Sequence, residues 1–252
     1  SGTTFLLGSY NNGGEGKLIG NIDEVKVWNQ ARTEAEIRSD GGVAVIPTAT
    51  PTPTLTLTPI PSGTPIPTLT PTPTTGAASG LVAYWKMEEG SGGTLFDSSG
   101  NNHTLTIDGT PNWSSNLPPT SISDTQSFLF DGATFARLTN SSDNSFFDFT
   151  TGLTLEAWIK TTNTNDPGIV SKWTSGNGYM MFITGGANGK IENNFAGGTQ
   201  VSGNTKVNDG NWHYVAITWD GSQRAVYIDG ILDATPLLWN TSPTNSGTTF
   251  LL

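Results

Sequence analysis

Hydrophobic and polar residues alternate with a period of two through much of this chain, in short runs cut by turn residues. The clearest stretch is 212–234, where 213–219 alternates, Asp220-Gly221 turns, 224–228 alternates, and Asp229-Gly230 turns again. Period two puts Val215, Ile217 and Trp219 on one face of a strand, and Tyr214, Ala216 and Thr218 on the other. Both faces are partly apolar, as in a strand covered on both sides, and two successive hairpins make a meander. Further Asp-Gly pairs at 40–41, 108–109, 131–132 and 209–210 punctuate other short runs. The one helical pattern of note is TEAEIR at 33–38, where Thr33 stands three residues before Glu36, the spacing of a capping box. The pattern predicts an all-β antiparallel sandwich with one short helix or turn.

One segment departs from this pattern. Residues 47–75 hold 12 Thr and 9 Pro in 29 positions, and the interval 43–79 carries no charge. Proline fixes φ and removes amide donors, so the segment is predicted to be extended, a spacer open to O-glycosylation. Leu55, Leu57, Ile60, Ile66 and Leu69 are spaced through it, and 54–58 alternates with period two. A solvated spacer has no use for these side chains, which suit packing on a protein surface or a sheet edge.

A second irregularity is a repeat. Residues 1–7 read SGTTFLL and residues 246–252 read SGTTFLL again, a period of 245 from 246 − 1. The chain therefore reads as slightly more than one repeat of a tandem array, cut within a domain.

Composition narrows the partners. Charged residues are 13% of the chain, about half the usual share. With 31 Gly, 15 Pro and no Cys, a helical bundle and a disulfide scaffold are disfavoured. A net charge of −10, from 11 basic and 21 acidic residues, opposes nucleic acid and anionic membrane as partners. No apolar run approaches the roughly 18–20 residues that span a bilayer.

Several motifs carry a resemblance. NDGNWHYVAITWDGSQRAVYIDGILDAT (208–235), LVAYWKMEEGSGGTLFDSSGNN (81–102), SFLFDGATFARL (127–138), LTLEAWIKT (153–161) and GNIDEVKVWNQARTEAEI (20–37) resemble the laminin-G-like jelly-roll domains of the concanavalin A-like lectin/glucanase superfamily. The last is the closing motif, here placed ahead of the opening one. In tandem order, 1–40 would then supply closing strands to a preceding or neighbouring repeat. Residues 41–80 would be the linker, and 81–252 a jelly roll without closing strands of its own. Neighbouring copies of the chain are the partners this order implies.

The superfamily includes glycosidases that present acids as Glu-x-Asp-x-x-Glu on one strand face. Here Asn21 stands where the first Glu would be, adjacent Asp23 and Glu24 are expected to face opposite ways, and Glu156 stands alone on its strand. With no Cys and only His103 and His213, nucleophilic catalysis finds no constellation, and no catalytic residue is assigned. His213 is expected to be packed or hydrogen-bonded within the sheet. The resemblance implies a structural Ca²⁺ near the 97–102 loop and the closing motif, on Asp97, Asn102 and Asp23 or Glu24. The alternative is an Asx turn at Asp97 that caps its own backbone. Trp113, Trp173 and Trp239 lie in turn-rich stretches, where sugar contact and local packing are both open. The sequence thus reads as an extracellular, cell-surface adhesive or structural repeat, or as a carbohydrate-binding module.

Overall fold

The computed structural model describes residues 4–44, 80–174, 176–196 and 198–243. Leu55, Leu57, Ile60, Ile66 and Leu69 of the Thr/Pro segment lie outside them, as does the second SGTTFLL.

In chain order the elements are β1 (Leu6–Leu7), β2 (Ile19–Trp28), α1 (Glu34–Asp40), β3 (Leu81–Trp85), β4 (Thr94–Leu95), β5 (Leu105–Asp108), β6 (Trp113–Ser114), β7 (Ser127–Asp131) and β8 (Phe135–Leu138). After a 3₁₀ helix (Ser141–Phe147) come β9 (Leu153–Thr161), β10 (Gly168–Thr174), β11 (Asn177–Ile183), β12 (Lys190–Phe195) and β13 (Val201–Lys206). The described chain ends with β14 (Trp212–Trp219), β15 (Gln223–Ile228), β16 (Ile231–Leu232) and β17 (Leu237–Leu238). One sheet runs β13-β12-β11-β10-β1-β8-β5-β4. The other runs β16-β15-β14-β9-β2-β7-β6, with β3 also on β2 and β17 also on β15. These pairings are antiparallel, and the two sheets form a jelly-roll sandwich.

Alternation decides which side chains meet between the sheets. Val215, Ile217 and Trp219 of β14 enter the central core with Leu155 and Ile159 of β9, while Tyr214 and Ala216 form a separate cluster on the outer face. Both hairpins of the 212–234 meander are present, as β14-β15 and β15-β16. Helix α1 carries the predicted capping box. The Thr33 hydroxyl accepts from the Glu36 N–H, and the Glu36 carboxylate accepts from the Thr33 N–H at 2.8 Å. Ile37 packs the helix onto Trp158, Tyr214 and Ala216, and the Trp158 indole N–H donates to the Gly41 carbonyl at 2.9 Å.

The two earliest strands lie inside both sheets. β2 pairs with β9 along one side and with β7 and then β3 along the other. The tandem-order reading gave this closing strand to a neighbouring copy. In the structure residues 19–28 occupy the place within their own chain and pair with opening strand β3. Ile22, Val25 and Val27 supply the apolar stripe that the gap beside β9 requires.

β1 is shorter but equally central. Leu6 and Leu7 pair with Ser171 and Val170 of β10 on one side, and with Arg137 and Ala136 of β8 on the other. Just ahead of it, the Phe5 ring stacks on Phe147 with centroids 4.4 Å apart and leans on Trp85 at 5.4 Å. Truncating Phe5 to Ala leaves a cavity under this joint. Phe5→Ala is expected to lower unfolding free energy by about 3–5 kcal/mol, measured by urea denaturation.

Candidate functional site

The outer face of β2 and β9 gathers acids. Asp23 pairs with Trp158 and Lys26 with Glu156, so β2 takes three steps where β9 takes two. The extra residue is a β-bulge, with Glu24 in the left-handed region at φ 51°. Strict alternation sends Asp23 and Glu24 to opposite faces. The bulge instead turns both outward together with Lys26, which corrects that expectation. Glu24 accepts from the Tyr84 hydroxyl and from Lys26 Nζ at 3.5 Å, and Asp23 accepts from the Glu24 N–H at 2.9 Å.

Each of these buried acids keeps one oxygen without a donor, Asp23 Oδ2 and Glu24 Oε1, and both oxygens of Asp124 are in the same condition. Asp124 faces Asp23 on one side and Glu88 on the other. Oxygen-to-oxygen contacts between carboxyls need a proton or a cation between them. Burial, and then the nearby Asp124 charge, push Asp23 up to about 10. Burial and its contact with Glu88 push Asp124 up to about 7. Further along the same face, Glu156 is fully buried, accepts from the Trp28 indole at 3.0 Å and the Tyr214 hydroxyl at 3.2 Å, and is pushed up to about 8 by burial and by Asp40.

The residues named for calcium divide. Asp97 takes four donors from its own surroundings: the Tyr84 and Ser99 amides on Oδ1, the His103 amide and the Ser99 hydroxyl on Oδ2. It holds the loop as an Asx turn, and its lone pairs are committed. Asn102 sits in the left-handed region at φ 65° on the exposed part of that loop. Asp23 and Glu24, with Asp124 as the member that sequence reasoning missed, offer the unpaired oxygens that a hard cation takes. Among the described residues no three His, Asp or Glu side chains form a ready metal cage, so an ion there would also need backbone carbonyls and water.

A cleft of 480 Å³ lies beside the 97–102 loop. Its rim carries Asn29, Asn101, Asn102, Asn140 and Asp143, and its apolar wall is Phe146 with His103 behind it. The Asn101 amide donates to the Leu81 and Val82 carbonyls at 3.0 and 2.9 Å, and Asn140 donates to Asp143 at 3.2 Å, which fixes the rim. His103 is 4% exposed, lies against Phe146 with centroids 5.0 Å apart and the rings tilted by 42°, and leaves Nδ1 without a hydrogen bond, 3.7 Å from Asp143 Oδ2. Phe146 itself is 61% exposed. An open apolar ring beside amides and a carboxylate is suited to a ligand with one apolar face and several hydroxyls.

The three tryptophans named for sugar contact face protein. Trp113 lies on β6, donates to the Gly92 carbonyl at 3.3 Å and meets Phe128 edge-on. Trp173 belongs to strand β10 instead of a turn, and packs with Met180 and Phe182. Trp239 stacks under the Arg224 guanidinium at 4.8 Å and packs against the core. His213 is hydrogen-bonded within the meander, to Asp229 at 3.0 Å and Asp209 at 3.3 Å.

An all-β jelly-roll sandwich with a polar, amide-rimmed cleft defines the class. Residues 131–252, just under half of the chain, match the family model described as the concanavalin A-like lectin/glucanases superfamily. No curated protein and no solved structure matches the chain. Among the described residues no helix is long and apolar enough to cross a membrane.

Asp23 has a sign that can be checked. The unfolded chain releases its proton near the ordinary value of 3.8 and the folded chain only near 10, so the contribution to stability is full below 3.8 and is lost as pH rises toward 10. In chelator, Asp23→Asn should flatten that decline in urea unfolding measured from pH 4 to pH 9.

Proposed function

We propose that this domain is an extracellular adhesive module that holds glycans in the Asn-rich cleft, without catalysis. The observation that carries the reading is the exposed Phe146 ring, set among the amides of Asn29, Asn101, Asn102 and Asn140 and the Asp143 carboxylate. The ring would stack on the apolar face of a pyranose while amides and carboxylate take its hydroxyls. Neither the Asn29 nor the Asn102 side chain is hydrogen-bonded among the described residues, so both amides are available to a ligand. The superfamily match favours a carbohydrate-binding or adhesive role. Low charge and the Thr/Pro segment suit the outside of a cell.

Calcium belongs to the same reading. The unpaired oxygens of Asp23, Glu24 and Asp124 would hold it beside Tyr84, whose backbone anchors the Asp97 loop. Calcium bound only by the folded chain would stabilise it by about 2.7 kcal/mol at a hundred times its dissociation constant. A calcium-dependent rise in Tm that Asp23→Asn abolishes is the expected result.

A second reading sets the module in an array. The duplicated SGTTFLL and the linker-like Thr/Pro segment support a string of beads joined to neighbouring copies.

The glycan reading is tested by array screening followed by calorimetry on the hits. Phe146→Ala should weaken binding about tenfold, the loss of roughly 1.4 kcal/mol of ring contact, with Tm unchanged. Binding that survives both Phe146→Ala and Asp143→Ala places the ligand elsewhere and ends this reading.

A further inference from the structure

The slot that β1 fills is built for one short sequence. Phe5, Leu6 and Leu7 are all fully buried. The Phe5 amide donates to Asn144 Oδ1 at 3.1 Å, and its carbonyl accepts from the Leu138 amide at 3.3 Å. β1 is also the strand through which the β10–β13 half of its sheet meets the β8-β5-β4 half. The chain contains this sequence twice. Residues 246–252 repeat residues 1–7, so Phe250, Leu251 and Leu252 correspond to Phe5, Leu6 and Leu7. The superfamily match runs to residue 252 and so takes in the second copy. The described residues thus form one slot, and the sequence that fits it occurs twice.

We propose that residues 246–252 of one copy are a donor strand for the β1 slot of a second copy. The donor would bring the same ring to Phe147 and Trp85, and the same two residues between β8 and β10. Because the two segments are identical in sequence, either would fill the slot with the same side chains, and the occupant is decided by effective concentration. A solitary chain keeps its own β1, which is tethered to β2. Copies held side by side exchange strands and become linked without any new surface. The partner is therefore a second copy of this chain, recognised by strand addition. This names the contact that the array reading requires and rests on that reading for its setting. It does not depend on the glycan cleft.

The chain has no cysteine, so a disulfide trap reads the exchange directly. Leu6 lies opposite Arg137, and Leu251 is the residue that corresponds to Leu6. An acceptor chain carries Arg137→Cys with Phe5→Ala and Phe250→Ala, which weaken both of its own strands. A donor chain carries Leu251→Cys with Phe250 intact. Mixing the two under mild oxidation should give an intermolecular disulfide on a non-reducing gel. Phe250→Ala in the donor should reduce its yield about a hundredfold at matched concentration. A Leu6→Cys/Arg137→Cys chain, closing its bond internally, shows that the geometry permits the link. An acceptor with Arg137→Cys alone, run at higher concentration, keeps the test valid if the triple variant does not fold. The proposal is overturned if that control closes while no intermolecular bond forms, or if the bond is indifferent to Phe250→Ala. It is also overturned if Arg137→Cys/Leu251→Cys in one chain links only within itself. Glycan binding by the wild-type chain is unaffected by any of these outcomes, so the two readings fail separately.

Discussion

Everything in this sandwich depends on residues 5–28 lying inside both sheets. β1 closes the gap between β8 and β10, and β2 fills the space between β9 on one side and β7 with β3 on the other. Remove the first and one sheet separates into two parts. Remove the second and β9 loses its neighbour beneath the outer acids. The intervening turn is equally confined, because a Cβ on Gly8 would stand 2.5 Å from the Phe130 ring, at a φ of +74° that disfavours any side chain. β1 and β2 thus pair with strands more than a hundred residues away, and pairings of that separation are slow to form in a folding chain.

The outer face of β2 shows how a small backbone irregularity sets local chemistry. Without the bulge at Glu24, one of the two adjacent acids would project into the apolar core. With it, both join Lys26, Tyr84 and Asp124 on one side. Burial then forces the carboxyls to retain protons or to share a cation. The Asp97 loop is a different device, a carboxylate spent on three backbone amides and the Ser99 hydroxyl, and Tyr84 connects it to the acids. Tyr84 carries both contacts, its amide to Asp97 and its hydroxyl to Glu24.

Much of the architecture was legible in the residues. The 212–234 meander followed from alternation and Asp-Gly turns, and α1 followed from Thr33 and Glu36, because both signals are local. The bulge was not legible, since nothing in Asp23-Glu24 marks a left-handed residue and its cause lies in registering β2 against β9. Trp173 was placed in a turn because flanking Gly, Ser and Asn obscured a strand whose partners are distant in sequence. The cleft was missed for a related reason. It draws Asn29, the 101–103 loop and the Ser141–Phe147 helix with its Asn140 cap from separate regions, and Phe146 becomes an exposed ring only because Phe147 is drawn inward against Phe5. Neighbouring phenylalanines divide between core and surface, and the sequence does not say which goes where.

The brevity of β1 has a mechanical side. A pull applied at Phe5 would meet only two residue pairs on each flank of β1, whereas β2 behind it is held along most of its length by β9. A domain pulled from that side would therefore yield first at β1, and the longer strand would carry load only afterwards. Its release would part the β10–β13 half of that sheet from the β8-β5-β4 half and uncover Phe5, Leu6 and Leu7, while β2 still held the other sheet together.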